Sequence, residues 1–313
     1  SGTDDNQKII NISVNEKPTG EITAGAGVGS SGGSISLSAA ENNFLGRGIK
    51  FDTSLTLSAN TVRGLFSLNN PNYKGSNRSL NFSVQSLVTD QLKDFGYKSN
   101  KSGFSIGSGY ELYDDFYFTT GLSTYVETLK TDATASDSMS KQKGSYFDTF
   151  FNYTLDYDKR NQRFKTTDGF RSKFTQNLPI ISENYSLKNT YDFKIYDSWL
   201  KENIATFSFY ASSSNSLTNK DIKLSERLYL PSSKLRGFEP GKIGPKDGED
   251  FIGGNYATAF SLSTTMPQVL PSLQSADFLL FLDVANVWGV DYDASVLDDN
   301  KIKSSIGLGI DWF

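Results

Sequence analysis

Alternation governs residues 147–157: Phe147, Thr149, Phe151, Tyr153, Leu155 and Tyr157 fall on one parity, and Asp148, Asn152, Thr154 and Asp156 on the other, a pattern that only Phe150 breaks. Successive side chains of an extended backbone point to opposite faces, so this is the periodicity of a strand with one greasy and one polar side. Comparable alternation recurs at 34–40, 50–58, 104–112, 170–178, 191–199, 256–265 and 306–312. With weaker segments included, the chain reads as about fourteen strands of roughly ten residues each.

Strands of that length fit an all-β, antiparallel, up-and-down transmembrane barrel of the outer-membrane type better than a soluble sandwich, whose strands are shorter. The connections agree. Tight turns such as Tyr113-Asp114-Asp115 alternate with longer loops such as 131–145 and 212–253, the asymmetry such barrels show between their two ends. Phe44, Tyr73, Tyr110, Tyr113, Phe116, Tyr157, Trp199 and Trp288 lie near strand ends, where an interfacial girdle would put them, although aromatics are also simply good strand formers. The longest apolar runs, such as 278–282, fall far short of the ~18 residues that suggest a spanning helix. Low hydropathy does not oppose a barrel, because only the outward half of each strand must satisfy lipid.

Composition narrows the chemistry. The 313 residues include no histidine and no cysteine, which excludes disulfides, His or Cys metal sites and a Ser-His-Asp arrangement. A net charge of −4 is too small to imply nucleic acid. No phosphate-binding glycine pattern follows a strand and opens a helix. Asp247, Glu249 and Asp250 lack the spacing of a calcium loop and read as a solvated acidic turn. No cofactor is expected, and paired carboxylates would be the remaining acid–base route. Lys165, Arg171 and Lys173, near the short-turn side, are expected to line the lumen or meet lipid headgroups.

Two charges are out of place. Arg236 is wedged between Leu235 and the Gly237-Phe238 pair inside a long polar loop, and Asp283 interrupts the apolar run 278–288. A loop that carries such a cation is expected to fold back onto a carboxylate. An unpaired carboxylate inside a barrel wall needs a partner, because burying its charge alone is costly. The first barrel strand is also unusual: Thr23, Gly25, Gly27 and Gly29 share one parity, with Ile22, Ala24, Ala26 and Val28 on the other. Repeated glycine weakens a strand, or else makes room for a crowded lumen.

Read together, Thr19-Gly20-Glu21, Gly25-Ala26-Gly27-Val28-Gly29, Asn43-Phe44-Leu45-Gly46-Arg47-Gly48, Thr167-Asp168-Gly169-Phe170-Arg171, Leu235-Arg236-Gly237-Phe238 and Gly253-Gly254-Asn255-Tyr256 resemble the barrel of the BamA family of bacterial outer-membrane assembly factors, over nearly all of 8–313. The resemblance implies an insertase that works without cofactor. Its sixth extracellular loop folds into the lumen, where Arg236 meets Asp283, and Ser263 stands where the family often has a glutamate, as a second contact. It implies that the strand 22–29 is a lateral gate whose edge pairs with unfolded outer-membrane clients by β-augmentation. The implied partners are the lipid bilayer, those clients, and periplasmic lipoproteins reached through POTRA domains.

The break at 16–20 makes residues 1–20 the tail of a preceding POTRA domain and 21–313 the barrel. Family barrels have about sixteen strands, and 303–313 matches the third from the end, so the last two strands are expected to be missing and the chain incomplete. TamA-like factors, two-partner secretion barrels, a passive porin or receptor, and a soluble β-rich binding protein are the alternatives.

Overall fold

A computed structural model describes residues 13, 15, 17–29, 32–91, 96–133, 135–200, 203–266, 276–291 and 296–312. The alternating segments form fourteen strands of one antiparallel sheet, each paired with its neighbours in chain order. They are β1 (Gly20–Gly29), β2 (Gly32–Phe44), β3 (Ile49–Ser58), β4 (Thr61–Asn70), β5 (Arg78–Gln91), β6 (Tyr97–Tyr113), β7 (Phe116–Thr131), β8 (Gly144–Asp158), β9 (Gly169–Ile181), β10 (Ser186–Leu200), β11 (Asn203–Ser216), β14 (Tyr256–Met266), β15 (Ala276–Trp288) and β16 (Lys303–Trp312). A two-stranded hairpin, β12 (Lys246–Asp247) and β13 (Asp250–Phe251), and a one-turn helix, α1 (Asp137–Ser140), lie in the connections. Among the described residues β1 pairs with β2 alone and β16 with β15 alone.

Register carries each parity from strand to strand. Leu68, Phe82, Ile106, Leu122, Phe151 and Leu178 are successive cross-strand partners from β4 to β9. Phe193, Phe209, Phe260 and Val284 continue the greasy face from β10 to β15. The opposite face has its own row: Asp158, Arg171, Lys194, Ser208, Ser261, Asp283 and Ser305 are successive partners from β8 to β16. A slip of one residue would exchange the two faces, so the alternation itself specifies this register. Leu308 on the outer face is 76% exposed, while Asp283 on the inner face is 0% exposed.

Near one end of the strands Tyr113, Phe116, Tyr157, Phe170 and Phe193 touch in sequence, with ring centroids 5.3–6.5 Å apart. Tyr256 and Trp288 stack at 5.7 Å near the other. The row at the first end is an aromatic girdle of the kind an interface selects; the other end carries this single pair. The side chain of Trp199 lies outside the described residues.

Some expectations shift. β6 and β7 run to 17 and 16 residues. The long connections 132–143, 217–255 and 289–302 share one end, but 30–31 and 59–60 at that end are tight, and 159–168 at the other is long. Asymmetry therefore rests on three connections. Those three pack into the interior, where the buried apolar residues collect: Leu228, Leu230, Leu235 and Ile243 of 217–255 sit against Ala257, Ala259, Ala285 and Val287 of β14 and β15.

Candidate functional site

Residues 217–255 leave β11 and return to β14 through the inside of the sheet. Leu228 and Gly254 exchange backbone hydrogen bonds of 2.8 and 3.0 Å, closing the base of the excursion. Glycine is required there: a Cβ at Gly254 would stand 2.7 Å from the Trp288 carbonyl oxygen and 2.8 Å from Val287 Cγ1. Inward alanines at 257, 259 and 285 leave the wall shallow. Leu235 fills the space above them at 2% exposure, and Phe238 packs against the same cluster.

Between those two apolar anchors the chain turns at Gly237, whose φ of +82° favours glycine, and Arg236 meets Asp283. Nε donates to Oδ2 at 2.7 Å, Nη2 to Oδ1 at 2.6 Å, and the Arg236 backbone N–H to Oδ2 at 3.0 Å. The planar fork of the guanidinium suits this two-point grip on a carboxylate. Its face lies 3.7 Å from the Phe281 ring centroid, a cation–π contact. One fully buried carboxylate thus holds the loop by side chain and main chain at once.

The hydroxyl that joins the pair is Ser261, which accepts from Arg236 Nη2 at 3.0 Å. Ser263 was the expected contact. Ser261 is the residue directly opposite Asp283, whereas Ser263 lies opposite Phe281 and lines the neighbouring polar cavity. Phe281 in turn depends on Gly307, where an added Cβ would approach the ring to 2.6 Å. Gly307→Ala should therefore push the ring into the guanidinium and cost about 1–3 kcal/mol, the range for overpacking. Denaturant titration of the folded barrel measures this, and Phe281→Leu in the same chain should recover most of it.

A second charged cluster escaped sequence reading. Lys223, 2% exposed, ion-pairs with Asp148, lies 3.9 Å from Glu127 Oε2, and stands 4.9 Å over the Tyr146 ring. Ser182 donates to Asp148 at 2.6 Å, and Ser99 and Ser225 donate to Glu127 at 2.6 and 2.7 Å. The flanking backbone is held too: Ile222 N donates to Asp291 Oδ2 at 2.7 Å and Leu224 N to Gln142 Oε1 at 2.6 Å. A signal was present, since Ile222-Lys223-Leu224 repeats the apolar–cation–apolar pattern of 235–238.

The acidic turn is solvated only in part: Glu249 is exposed, whereas Asp247 and Asp250 are half-buried. Asp250 Oδ2 accepts from Ser136 N at 2.9 Å and Asp247 Oδ2 from Ser138 N at 3.1 Å, seating α1 on the hairpin. Burial opposes ionisation of Asp247, but hydrogen bonds from Ser138 and Ser136 outweigh it and hold the carboxyl below its ordinary value. Among the described residues no group of three or more potential ligands is placed to hold a metal ion. Lys165 stands 3.9 Å from Asp277, and Arg171 grips Asp156 on the inner face at 2.6 and 2.9 Å.

In β1 the side chains of Thr23, Gly25 and Gly27 share the inner parity, opposite Ser38, Ser36 and Ser34. A Cβ at Gly25 would meet only the Ser36 hydroxyl at 3.1 Å, and one at Gly27 only the Ser34 hydroxyl at 3.6 Å. Crowding is not what requires these glycines. Ile22, Ala24, Ala26 and Val28 take the outer parity, with Ile22 and Val28 almost wholly exposed. Residues 8–14, Lys-Ile-Ile-Asn-Ile-Ser-Val, alternate as one short strand would, but they fall mostly outside the described residues.

A model of the Omp85 superfamily domain matches residues 43–313. By sequence the chain is similar to a SAM50-like protein of Schizosaccharomyces pombe, 36% identical over 104 residues covering 31% of this chain and 22% of the relative. It is also similar to the sorting assembly machinery 50 kDa subunit of Saccharomyces cerevisiae, 24% identical over 151 residues, 46% of this chain and 31% of the relative. The chain thus spans less than a third of the curated relatives it matches. By structure it is similar to BamA from Haemophilus ducreyi lacking POTRA domains 1–3, with a TM-score of 0.83 and 19% identity over 95% of this chain and 64% of that one. CdiB from Acinetobacter baumannii follows at a TM-score of 0.59 and 11% identity, over 94% and 53%. At these identities the structural likeness bears on the fold.

Proposed function

Because the chain belongs to the Omp85 superfamily, we propose that it is the barrel of an insertase that folds β-barrel clients into the bacterial outer membrane. The likeness to BamA and to two SAM50-type proteins supports this reading. In it, the end bearing 217–255 faces outward. Residues 1–20 form the tail of a POTRA domain on the opposite side, where periplasmic lipoproteins dock.

The observation that carries the mechanism is the condition of β1. It holds glycine at 25 and 27, where an added Cβ would meet nothing but a serine hydroxyl of β2. A strand so weakly committed by its own side chains opens cheaply and can accept a client strand through β-augmentation, which needs no nucleotide and no covalent step. The buried grip on Arg236 keeps the lumen filled while the edge works. A translocation barrel, raised by the likeness to CdiB, would need that lumen cleared.

The test is folding of a small outer-membrane barrel into liposomes that contain this chain, followed by its heat-modifiable migration. The parent should accelerate client folding. Gly25→Val with Gly27→Val should stiffen the edge by roughly 0.5–1 kcal/mol per site and slow the client about tenfold, with the host barrel intact. Unchanged acceleration by the double variant would remove β1 as the pairing edge. Steady solute conductance without acceleration would identify a passive porin.

A further inference from the structure

We propose that the inner face of β8–β10 carries a binding site for a phosphate-class oxyanion, built around Lys173 and Lys194. A cavity of about 270 Å³ there is lined by Arg160, Arg171, Lys173, Lys194, Lys234, Asp192 and the Tyr196 ring. Five cations thus face it, and the carboxylates that meet them are three. Arg160 takes Asp158 at 2.7 Å through both Nε and Nη2, Arg171 takes Asp156, and Lys234 of the lumenal loop takes Asp192.

Register explains why the remainder falls on Lys173 and Lys194. Lys194 is directly opposite Arg171 on one side and Ser208 on the other, so no carboxylate faces it across either ladder. Lys173 lies between Asp156 and Asp192, but each of those is already engaged by another cation. Neither ammonium has a carboxylate oxygen within 4.0 Å among the described residues. Reshuffling the pairs does not help, since five cations share three carboxylates in any arrangement. Two uncompensated ammonium groups on adjacent strands of a partly enclosed wall, in a chain whose net charge is −4, form a standing demand for about two negative charges.

The two lysines are diagonal neighbours across the β9–β10 ladder, a spacing of roughly 7–8 Å between Cα positions that long side chains bridge easily. A tetrahedral dianion can offer separate oxygens to both ammonium groups and to the Tyr196 hydroxyl from one point. A peptide carboxylate brings one charge and a chain that must also be housed. Arg160, Arg171 and Tyr196 place the site near the end of the strands opposite to that from which 217–255 enters. It receives Lys234 from that loop, so an anion bound there would also lie against the segment that bears Arg236.

The experiment is lysine footprinting of the full chain folded in dodecyl maltoside, a detergent without phosphate. Brief acylation is compared in inorganic phosphate and in chloride at matched ionic strength, with exposed Lys74 as internal reference. Millimolar phosphate should slow acylation of Lys173 and Lys194 about threefold or more, as ligand occupancy requires, and leave Lys74 unchanged. The K173Q/K194Q variant removes two unpaired cations, so it should fold at least as well as the parent while losing the phosphate-dependent broadening of the phosphorus NMR line. A parallel arm with short-chain phosphatidic acid distinguishes sources: protection by that lipid alone assigns the oxyanion to a headgroup, and protection by free phosphate assigns it to a small solute. Equal acylation in phosphate, lipid and chloride overturns the site. Protection by an acidic peptide alone overturns its phosphate character, and undiminished NMR broadening in the double variant overturns its location.

Discussion

Replacing Arg236 with alanine should lower the unfolding free energy of the barrel by about 3–5 kcal/mol, because Asp283 is then a buried charge with no partner. The carboxylate is fully buried and takes two of its hydrogen bonds from the guanidinium. Nothing nearby replaces them, since the adjacent hydroxyl of Ser261 is a weaker, neutral donor. Arg236→Lys should recover only part of the loss, because a point charge can neither grip both oxygens nor lie flat on Phe281. Asp283→Ala should cost less, because the guanidinium it frees is partly exposed to a polar cavity, and exchange of the two charges should rescue partly. Urea titrations of the refolded barrel give all four values. If the double mutant equals the sum of the singles, the contact carries no coupling energy.

The second large effect is expected at Lys223. Lys223→Met should also cost about 3–5 kcal/mol, because it leaves Asp148 and Glu127 buried side by side, at 0% and 1% exposure, with like charge. The consequence is local as well as global: Ile222 and Leu224, whose amides are tied to Asp291 and Gln142, should exchange hydrogen faster by the same factor. Lys223→Arg should not substitute, since the position is a compact one between two carboxylates and the Tyr146 ring. Neutralising the carboxylates in the Lys223→Met chain, with Asp148→Asn and Glu127→Gln, should restore most of the loss. Full stability of Lys223→Met alone would contradict a buried ion-paired anchor at this position.

The parity of the strands was legible from the sequence because period two translates directly into opposite faces, with no tertiary knowledge needed. Arg236 and Asp283 were legible for a related reason: each is a charge set in surroundings that reject it, and each supplies what the other lacks. What was not legible depended on register. Ser261 and Ser263 share a face, and only the pairing offset between β14 and β15 decides which of them stands opposite Asp283. The Lys223 cluster was hidden because Asp148 and Glu127 look like ordinary lumen-facing residues until a loop from 75 positions away reaches Asp148. Similarly, β6 and β7 outrun their alternation because their ends carry polar groups such as Lys101 and Glu127 that face this cluster, not lipid.

The two loop anchors also divide the labour along 217–255. Lys223 fixes its near part beneath the long connections, and Arg236 fixes its tip deeper, on the same cross-strand row as Lys194 and Ser208. Apolar packing by Leu228, Leu230 and Leu235 lies between them. Charge therefore sets where the loop stops, and hydrophobic burial supplies most of the adhesion.

The most direct measurement is a cysteine scan of alternate positions in lipid bilayers, which the absence of native cysteine makes clean. Single cysteines at Leu122, Leu262 and Leu282 should resist a water-soluble maleimide and be quenched by lipid-borne quenchers when labelled, while those at Asn152, Ser208 and Ser263 should do the reverse. Equal reactivity of the two parities would contradict an outward apolar face around a polar interior that holds the arginine-bearing loop.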